Sequence, residues 1–378
     1  MQSKEFSHPF NIIWTLVINI LGIEATIVTE ITKSVLGLGL KAIGKSGIAR
    51  AMQPLLGGMG AVLMFHHVGH RAPSYFGGND HLSIRPEFLS QLLDEFRQEC
   101  IDIVSLEEAV WRMSSGRSTQ PFVTFTFDDG YRDNIETAYP ILQSFRVPFT
   151  LFVCSGFVDR KVPIWWLSLE QIIQQNNVIE LTISGKRHVF QCIGKNEKRQ
   201  SFDKAVKLLS AVADEQLHET MQMLYDDTGH DAIALVDREM STWDMLKELN
   251  KDPLVTIGSH THSHPFLPSL SREGAKREMI DGLKRIKKML GTEPEFFAYP
   301  YGFKGAADER EVALAQEVGF KAAFTTRKGL LSKKHIDHAW ALPRVSINGH
   351  YQNMASMRAL LSGLPFYVAN GFNPVKIL

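Results

Sequence analysis

Seven short apolar segments recur along the chain, and stretches with helical periodicity separate most of them. Short runs rich in β-branched and aromatic residues are typical of buried strands, whereas longer amphipathic stretches are typical of helices. Alternation of the two kinds predicts parallel strands joined by crossover helices. We therefore predict an α/β fold with strands at residues 61–67, 122–127, 149–154, 254–257, 296–299, 321–325 and 341–347, and helices at residues 86–98, 135–145, 272–290 and 310–318.

The second apolar segment ends in two carboxylates. Phe122 to Phe127 is aromatic or β-branched throughout, and Asp128, Asp129 and Gly130 follow directly. An adjacent pair of aspartates is most often a turn or a helix cap. At the end of a buried strand, however, an ionised carboxylate needs a hydrogen-bond donor or a metal ion, because burying an unpaired charge is costly.

A pair of histidines follows the fourth apolar segment. His260 and His264 come shortly after residues 254–257 and Gly258, and a spacing of four places both rings on one side of a helical turn. His262, between them, is predicted to point away from that side. In a chain with 14 histidines such a pair alone is more often a coincidence of the surface.

The two motifs together predict a metal site. Both follow the carboxyl ends of predicted parallel strands, where α/β folds place their chemistry. Two imidazoles and one carboxylate, with a coordination position left for water, form the ligand set of a catalytic zinc ion. We predict one divalent ion at this place, with zinc first and cobalt or nickel as alternatives.

Composition narrows the class of protein. The chain has 378 residues, 44% of them hydrophobic, with 41 basic and 41 acidic residues. This balance argues against a nucleic-acid partner. The three cysteines are widely spaced and odd in number, so they do not indicate a disulfide framework.

The motifs resemble those of the polysaccharide deacetylases, also called NodB-homology proteins or carbohydrate esterase family 4. Asp128 and Asp129 match the family motif Thr-Phe-Asp-Asp-Gly, and His260 and His264 match its His-(Ser/Thr)-x-x-His motif. The resemblance covers roughly residues 58–350. It implies an irregular (β/α)7 barrel, with Asp128 as the catalytic base and Asp129, His260 and His264 as metal ligands.

The third family motif resembles residues 297–302, Phe-Ala-Tyr-Pro-Tyr-Gly. In the family the residue before the glycine, here Tyr301, offers its backbone N–H to the oxyanion, and Pro300 precedes it at the substrate site. The motif commonly begins with an arginine that orients the base, and Ala298 stands at that position. The resemblance therefore leaves the source of this guanidinium open.

Two residues elsewhere are predicted to complete the site. The segment around His66 is similar to the Tyr-His-x-Val segment of exopolysaccharide deacetylases that act on β-1,6-linked N-acetylglucosamine, and this match gives His66 the role of the acid. Adjacent residues of a strand point to opposite faces, so only one of His66 and His67 can enter the barrel mouth. Arg344 is predicted to replace the missing arginine.

The predicted domain at residues 56–350 contains an insertion at residues 161–252. Trp165 begins a predicted helix, residues 178–191 alternate like a hairpin about Ser184 and Gly185, and residues 202–224 are again helical. An insertion at the catalytic end of a barrel shapes access to the site. Trp165 and Trp166 could stack on sugar rings, but paired aromatics are more often core, and we predict core.

The first 55 residues form a separate apolar and amphipathic segment in this prediction. Residues 11–28 approach the length of a membrane span, but Asn19 and Glu24 count against one, and no clear cleavable signal peptide is present. Residues 35–56 carry Lys41, Lys45 and Arg50 and suit a helix on a membrane surface or docked on the domain. We predict a protein of the cytoplasm or the inner membrane, with a C-terminal helix and tail at residues 351–378.

The resemblance implies a hydrolase that removes N-acetyl groups from N-acetylglucosamine-type residues of a polysaccharide or a lipid-linked glycan. Two alternatives stay open. Ala298 in place of the family arginine would suit a catalytically silent protein that binds sugar, and a third possibility is an amidase acting on a non-carbohydrate amide.

Overall fold

Seven parallel strands close into a barrel in the computed structural model, which describes residues 25–69, 74–115, 120–375 and 377. Their order around the barrel is β1, β7, β6, β5, β4, β3 and β2, and β2 pairs again with β1. The predicted (β/α)7 barrel is therefore confirmed. The strands are β1 (Gly60–Phe65), β2 (Phe122–Phe127), β3 (Phe149–Val153), β4 (Val255–Ser259), β5 (Phe296–Ala298), β6 (Ala322–Lys328) and β7 (Leu342–Ser346).

Burial on both faces explains the composition of the strands. Every residue of β1, β2 and β3 is buried, because one face lies inside the barrel and helices cover the other. β1 and β2 pair in register from Gly60 and Phe122 to Phe65 and Phe127. All carboxyl ends of the strands therefore lie at one end of the barrel.

Fifteen α-helices lie within the described residues. The predicted helices at 86–98 and 272–290 are confirmed, whereas a π-helical turn, Asn134–Ala138, occupies the first half of the helix predicted at 135–145. The helices are α1 (Ala25–Lys45), α2 (Ile48–Leu56), α3 (Pro86–Gln98), α4 (Leu106–Ser115), α5 (Tyr139–Ser144), α6 (Ser155–Val158), α7 (Trp165–Gln175), α8 (Lys195–Leu209), α9 (Asp214–Thr228), α10 (Ala232–Glu239), α11 (Trp243–Leu249), α12 (Arg272–Leu290), α13 (Glu309–Val318), α14 (Met354–Leu361) and α15 (Leu364–Ala369).

The insertion forms a helical layer with its own apolar core. It contains α7 to α11 and an antiparallel hairpin of strands Val178–Ile183 and Lys186–Gln191, which confirms the predicted hairpin. The single helix predicted at 202–224 is wrong, because α8 ends at Leu209 and α9 begins at Asp214. Side chains from α7, α8, α9 and the hairpin pack together, and Phe76 from the barrel side joins them.

The N-terminal helices lie against the C-terminal ones. α1 packs along α14, and α2 contacts both α14 and α15. Most of the apolar stretch predicted at 11–28 lies outside the described residues. Among the helices that are described, none combines the length and the apolar character needed to cross a bilayer.

Candidate active site

The polar residues singled out in the sequence meet at the carboxyl end of the barrel. His66 follows β1, Asp128 and Asp129 follow β2, and His260 follows β4. This convergence follows from the parallel topology, since every strand delivers the residues after it to the same end.

Asp129, His260 and His264 form a compact group of ligand atoms. Oδ1 of Asp129 lies 3.3 Å from Nε2 of His260 and 3.5 Å from Nε2 of His264. The three ligand atoms all lie within 4.8 Å of one another. Oδ1 of Asp129 is buried and has no hydrogen-bond donor among the described residues. A buried carboxylate oxygen without a donor, facing two imidazole nitrogens, fits a divalent cation.

The protonation states of the three side chains bear on metal binding. Nδ1 of His260 lies 2.7 Å from the carbonyl oxygen of Ala298, and if it carries the proton, Nε2 keeps its lone pair for a metal. Burial lowers the pKa of His264 to about 4, so this imidazole is neutral at pH 7. Burial raises the pKa of Asp129, but the neighbouring imidazoles of His260 and His264 outweigh it and hold the pKa below its ordinary value. Burial lowers the pKa of His260, but the neighbouring Asp129 and Asp128 outweigh it and hold the pKa above its ordinary value, so a metal ion at this group competes with a proton on His260.

The histidine pair does not lie on a helical turn, so that part of the prediction is wrong. Residues 260–264 belong to no helix, and Thr261 and His264 have positive φ angles of 64° and 58°. Glu278 of α12 holds this segment by accepting hydrogen bonds from the backbone N–H of His262 and Ser263, at 3.2 and 2.8 Å. The two rings still face one point because the irregular backbone turns both of them toward Asp129.

His262 points away from Asp129, His260 and His264, as predicted. Its Nδ1 lies 2.8 Å from Oγ of Ser155, and its carbonyl oxygen accepts from the backbone N–H of Gly156 at 2.7 Å. The residue thus fastens the ligand segment to α6.

Arg344 and Asp128 form a fully buried, bidentate ion pair. Nη1 and Nη2 of Arg344 donate to Oδ1 and Oδ2 of Asp128, both at 2.7 Å. Nε of Arg344 donates to the carbonyl oxygen of Thr325 at 2.9 Å, which fixes the plane of the guanidinium. Burial raises the pKa of the Asp128 carboxyl, but Arg344 together with His260 outweighs it, so the pKa lies below its ordinary value. Asp128 is therefore ionised and held in one orientation.

His66 and His67 point in different directions. Burial lowers the pKa of His66, and the charges of Asp129 and Asp128 raise it in part, so the His66 side chain lies in the field of the site carboxylates. His67 is buried elsewhere: its Nδ1 lies 2.8 Å from Oδ2 of Asp133, and the centroid of its ring lies 3.6 Å from that of the tilted Tyr131 ring. His66 is therefore the one of the two histidines that interacts with Asp128 and Asp129, whereas His67 pairs with Asp133.

The third motif forms a tight turn beside His264. Tyr301 has a φ angle of 61°, and the backbone N–H of Gly302 donates to the carbonyl oxygen of Pro300 at 2.7 Å. The hydroxyl of Thr326 donates to the carbonyl oxygen of Tyr301 at 2.6 Å. Within the part of the chain that the structure describes, no acceptor pairs with the backbone N–H of Tyr301. The ring of Tyr301 lies 5.0 Å from that of His264.

Aromatic side chains of the insertion reach the site. Trp165 lies in the core of the insertion, as predicted, and its indole Nε1 donates to the hydroxyl of Tyr301 at 3.1 Å. Trp166 is only partly buried, and its ring packs 5.0 Å from the ring of His264. The start of α7 thus forms one wall of the site.

Two positioning residues were missed by sequence reasoning. Asn134 is buried and donates from Nδ2 to the carbonyl oxygen of His66 at 2.6 Å. Glu278 could have been found, because it shares the inward face of α12 with Ala275, Met279 and Gly282, and a carboxylate in such an apolar stripe requires donors. Asn134 gave no comparable signal, since its partner is a backbone carbonyl 68 residues away in sequence.

Comparisons with known proteins indicate the family and the fold. A family profile described as polysaccharide deacetylase matches residues 115–323. A curated relative from Geobacillus stearothermophilus, named "Uncharacterized 30.6 kDa protein in fumA 3'region", is 27% identical over 81 residues. That match spans 21% of this chain and only 29% of the relative.

Two solved structures share the fold. The deacetylase PplD of Streptococcus pyogenes, in complex with acetate, is 19% identical with a TM-score of 0.52, over 80% of this chain and 96% of that chain. IcaB from Ammonifex degensii is 19% identical with a TM-score of 0.51, over 80% of this chain and 97% of that chain. At this level of identity the likeness concerns the fold.

Proposed function

The chain belongs to the polysaccharide deacetylase family, and we propose that it is a metal-dependent hydrolase that removes N-acetyl groups from N-acetylglucosamine-type residues of a polysaccharide or a lipid-linked glycan. The proposal assigns one divalent ion, zinc first and cobalt or nickel as alternatives, to Asp129, His260 and His264.

The ion pair of Arg344 with Asp128 is the observation that carries this proposal. A carboxylate that accepts two charge-assisted hydrogen bonds, beside three metal ligands, is ionised and directed as a general base must be. The arginine comes from β7, whereas the family position on β5 holds Ala298. This arrangement favours an active enzyme over the silent sugar-binding protein, because the feature missing at Ala298 is present from another strand.

The reaction needs one base, one acid and one donor to the oxyanion. A divalent ion, when bound, supplies a Lewis acid and lowers the pKa of water. Asp128 accepts a proton from the water whose oxygen bonds to the amide carbon. The backbone N–H of Tyr301, beside the buried Pro300, donates to the carbonyl oxygen as negative charge develops on it.

His66 completes the reaction by donating a proton to the amine nitrogen while the C–N bond breaks. Burial lowers its pKa, which disfavours the protonated form at rest, and once protonated the ring is a stronger acid than an ordinary imidazolium. The products are acetate and a free amino group on the sugar. Asn134 positions His66 through its carbonyl oxygen and does not touch the reacting atoms.

Acetate release tests the proposal and separates it from its alternatives. The full chain, loaded with zinc, is incubated with N-acetylglucosamine oligomers and with a panel of small acetamides, and acetate is measured before and after chelation. Release from the oligomers that stops on chelation and returns with zinc is the expected result. Sugar binding without release would favour the silent protein, and release from the acetamides alone would favour the amidase.

We also propose that α1 and α2 rest on an anionic membrane surface, so that the protein works in the cytoplasm or at the inner membrane. Val35, Leu38 and Leu55, on two helices that contact each other, expose 62%, 66% and 75% of their surface, and apolar surface that is clustered in this way marks a contact with a protein or a membrane. Lys41 and Lys45 are exposed on α1, the helix that carries Val35 and Leu38. Residues 31–56 contain no Asp or Glu, so this apolar and basic face suits an anionic bilayer.

Sedimentation with vesicles tests this contact. The full chain should sediment with vesicles of phosphatidylglycerol and much less with vesicles of phosphatidylcholine. Leu38→Glu should release it, whereas Val189→Glu, at an exposed apolar position on the insertion hairpin, should not. Equal sedimentation with both lipids would contradict the membrane proposal. So would a Leu38→Glu variant that still sediments with the phosphatidylglycerol vesicles.

A further inference from the structure

The insertion reaches the third motif through an indole. Trp165 begins α7, and its Nε1–H donates to the hydroxyl oxygen of Tyr301 at 3.1 Å, across 136 positions of the chain. Because Trp165 is only 6% exposed and lies in the core of the insertion, its ring is not a surface on which a substrate can stack. Its hydrogen bond is therefore a contact between the insertion core and the turn that carries the proposed oxyanion donor.

The turn at Tyr301 is strained. The backbone N–H of Gly302 donates to the carbonyl oxygen of Pro300 at 2.7 Å, which closes a three-residue turn, and the φ angle of Tyr301 is 61°. A γ-turn whose central residue has a positive φ is rare, and it costs free energy when that residue carries a side chain. Such a conformation persists only where the surrounding structure holds it. The direction of the Tyr301 N–H therefore depends on what holds this turn.

The backbone of the turn is held on one side by Thr326. Its hydroxyl donates to the carbonyl oxygen of Tyr301 at 2.6 Å, and its N–H donates to the carbonyl oxygen of Gly302 at 2.9 Å. Both bonds fix peptide planes that follow Tyr301. The N–H of Tyr301 lies in the plane before it, which it shares with the carbonyl group of Pro300. Thr326 alone therefore does not fix the direction of this N–H.

The side chain of Tyr301 supplies the second anchor. Its ring centroid lies 5.0 Å from that of His264 and 6.1 Å from that of Phe266, and such packing is weakly directional. Burial raises the pKa of Tyr301, so its hydroxyl is neutral. A buried indole N–H needs an acceptor, and within the described residues the hydroxyl oxygen of Tyr301 is the acceptor for Trp165. This directional bond fixes the far end of the ring, and with it the rotation of the backbone about the Tyr301 Cα.

We infer that Trp165 is a positioning residue for the oxyanion donor: its indole N–H holds the ring of Tyr301 and thereby aims the backbone N–H of Tyr301. The inference rests on the proposed function, because the oxyanion arises only in that reaction. Trp165 touches no reacting atom and acts through Tyr301. The insertion is then a part of the catalytic apparatus and not only a wall of the site.

A double-mutant cycle on acetate release tests this inference. Trp165→Phe and Tyr301→Phe each remove the hydrogen bond and keep an aromatic ring. Complete removal of an oxyanion donor costs about 10²–10³-fold in kcat, so a donor that is present but misdirected should cost about tenfold. KM should stay within about twofold, because the interaction is made in the transition state. Since both changes break the same bond, the double variant should be no slower than either single variant, whereas independent losses would multiply to about 100-fold.

Trp243→Phe is the matched control. Trp243 begins α11 of the insertion, and its indole Nε1 donates to Oδ1 of Asp159 at 2.8 Å, so the same kind of bond is lost outside the proposed site. Its kcat should equal that of the wild type. For every variant kcat is expressed per bound zinc, because the ring of Tyr301 packs against His264. An unchanged kcat in Trp165→Phe, a loss confined to KM, or losses that multiply in the double variant would each overturn the inference.

Binding of methylphosphonate distinguishes failure of the inference from failure of the proposed function. This tetrahedral anion carries a methyl group like that of an acetyl group and binds the oxyanion donor without turnover. Calorimetry on the zinc-loaded full chain should show about tenfold weaker binding in Trp165→Phe and in Tyr301→Phe, as for kcat, and no change in Trp243→Phe. If this pattern is found while no acetate is released from any oligomer, the proposed function fails alone. Where no acetate is released, equal affinity of the wild type and Trp165→Phe for methylphosphonate, absence of binding included, overturns the inference.

Discussion

Replacing Arg344 by methionine isolates the buried ion pair. The change keeps much of the apolar stem and removes the guanidinium, which donates two bonds of 2.7 Å to Asp128 and one of 2.9 Å to Thr325. It leaves the Asp128 carboxylate buried without a counter-charge. Breaking one side of a buried pair costs about 3–5 kcal/mol, so we expect the free energy of unfolding to fall by about that amount.

Activity should fall with stability but for a different reason. An undirected base costs turnover, and small misplacements of catalytic groups cost about 10²-fold. We therefore expect Arg344→Met to lower kcat by about 10² or more, and Arg344→Lys, which keeps the charge but loses the bidentate geometry, to lie between it and the wild type. Urea unfolding and acetate release are measured on the same preparations.

A double variant and a matched control separate the two effects. Asp128→Asn combined with Arg344→Met removes both charges and should regain stability relative to Arg344→Met alone, while remaining inactive. Arg327 is the control: it is buried on the adjacent strand β6 and donates to the carbonyl oxygen of Ala307 at 2.7 Å, away from the ligands. Arg327→Met should lose stability and keep kcat. Unchanged kcat in Arg344→Met, or no recovery in the double variant, would refute the reasoning.

Three further predictions concern the acid, the metal and a structural ion pair. His66→Ala should lower kcat by about 10² or more by removing the proton donor, and His67→Ala should cost much less; the reverse order in acetate assays would move the acid to His67. Chelation should lower the melting temperature and zinc should restore it, because a metal bound only by the folded state stabilises that state; no shift on either treatment would argue against the metal. Burial raises the pKa of Asp159, but hydrogen bonds from Arg285 and Trp243 hold it below its ordinary value. Its stabilisation is therefore present above about pH 4 and lost as the pH falls through the lowered pKa, so the difference in unfolding free energy between wild type and Asp159→Asn should shrink toward pH 3; a constant difference would contradict the assignment.

The barrel was predictable because its signals are local. Seven apolar runs bounded by polar residues gave the seven strands, with ends displaced by at most a few residues. The break between α8 and α9 was not predictable, because Ser210, Ala211, Val212 and Ala213 include neither glycine nor proline. There the packing of the insertion core, and not local propensity, ends one helix and begins the next.

The ion pair of the site joins residues that are far apart in the chain. Asp128 and Arg344 are separated by 216 positions, and only the departure at Ala298 suggested that an arginine must come from elsewhere. The closed barrel explains how an arginine on β7 can take the place of one at the Ala298 position on β5. β7 is one of the two neighbours of β1, and β2 is the other, so a long side chain from β7 can cross the barrel mouth to the end of β2.

The backbone of the site explains why the histidine pair was misread. Thr261 and His264, like Asp129 and Tyr301, have positive φ angles, a conformation that costs free energy for residues other than glycine. Sequence periodicity assumes ordinary helical or extended backbone, so it placed the histidines on a helical turn. Hydrogen bonds from neighbouring elements stabilise these strained conformations. Glu278 bonds to the segment at 262–263, and Thr326 bonds to the turn at Tyr301. Four residues in left-handed conformations at one end of the barrel therefore mark the place where local preference yields to the geometry of the ligands.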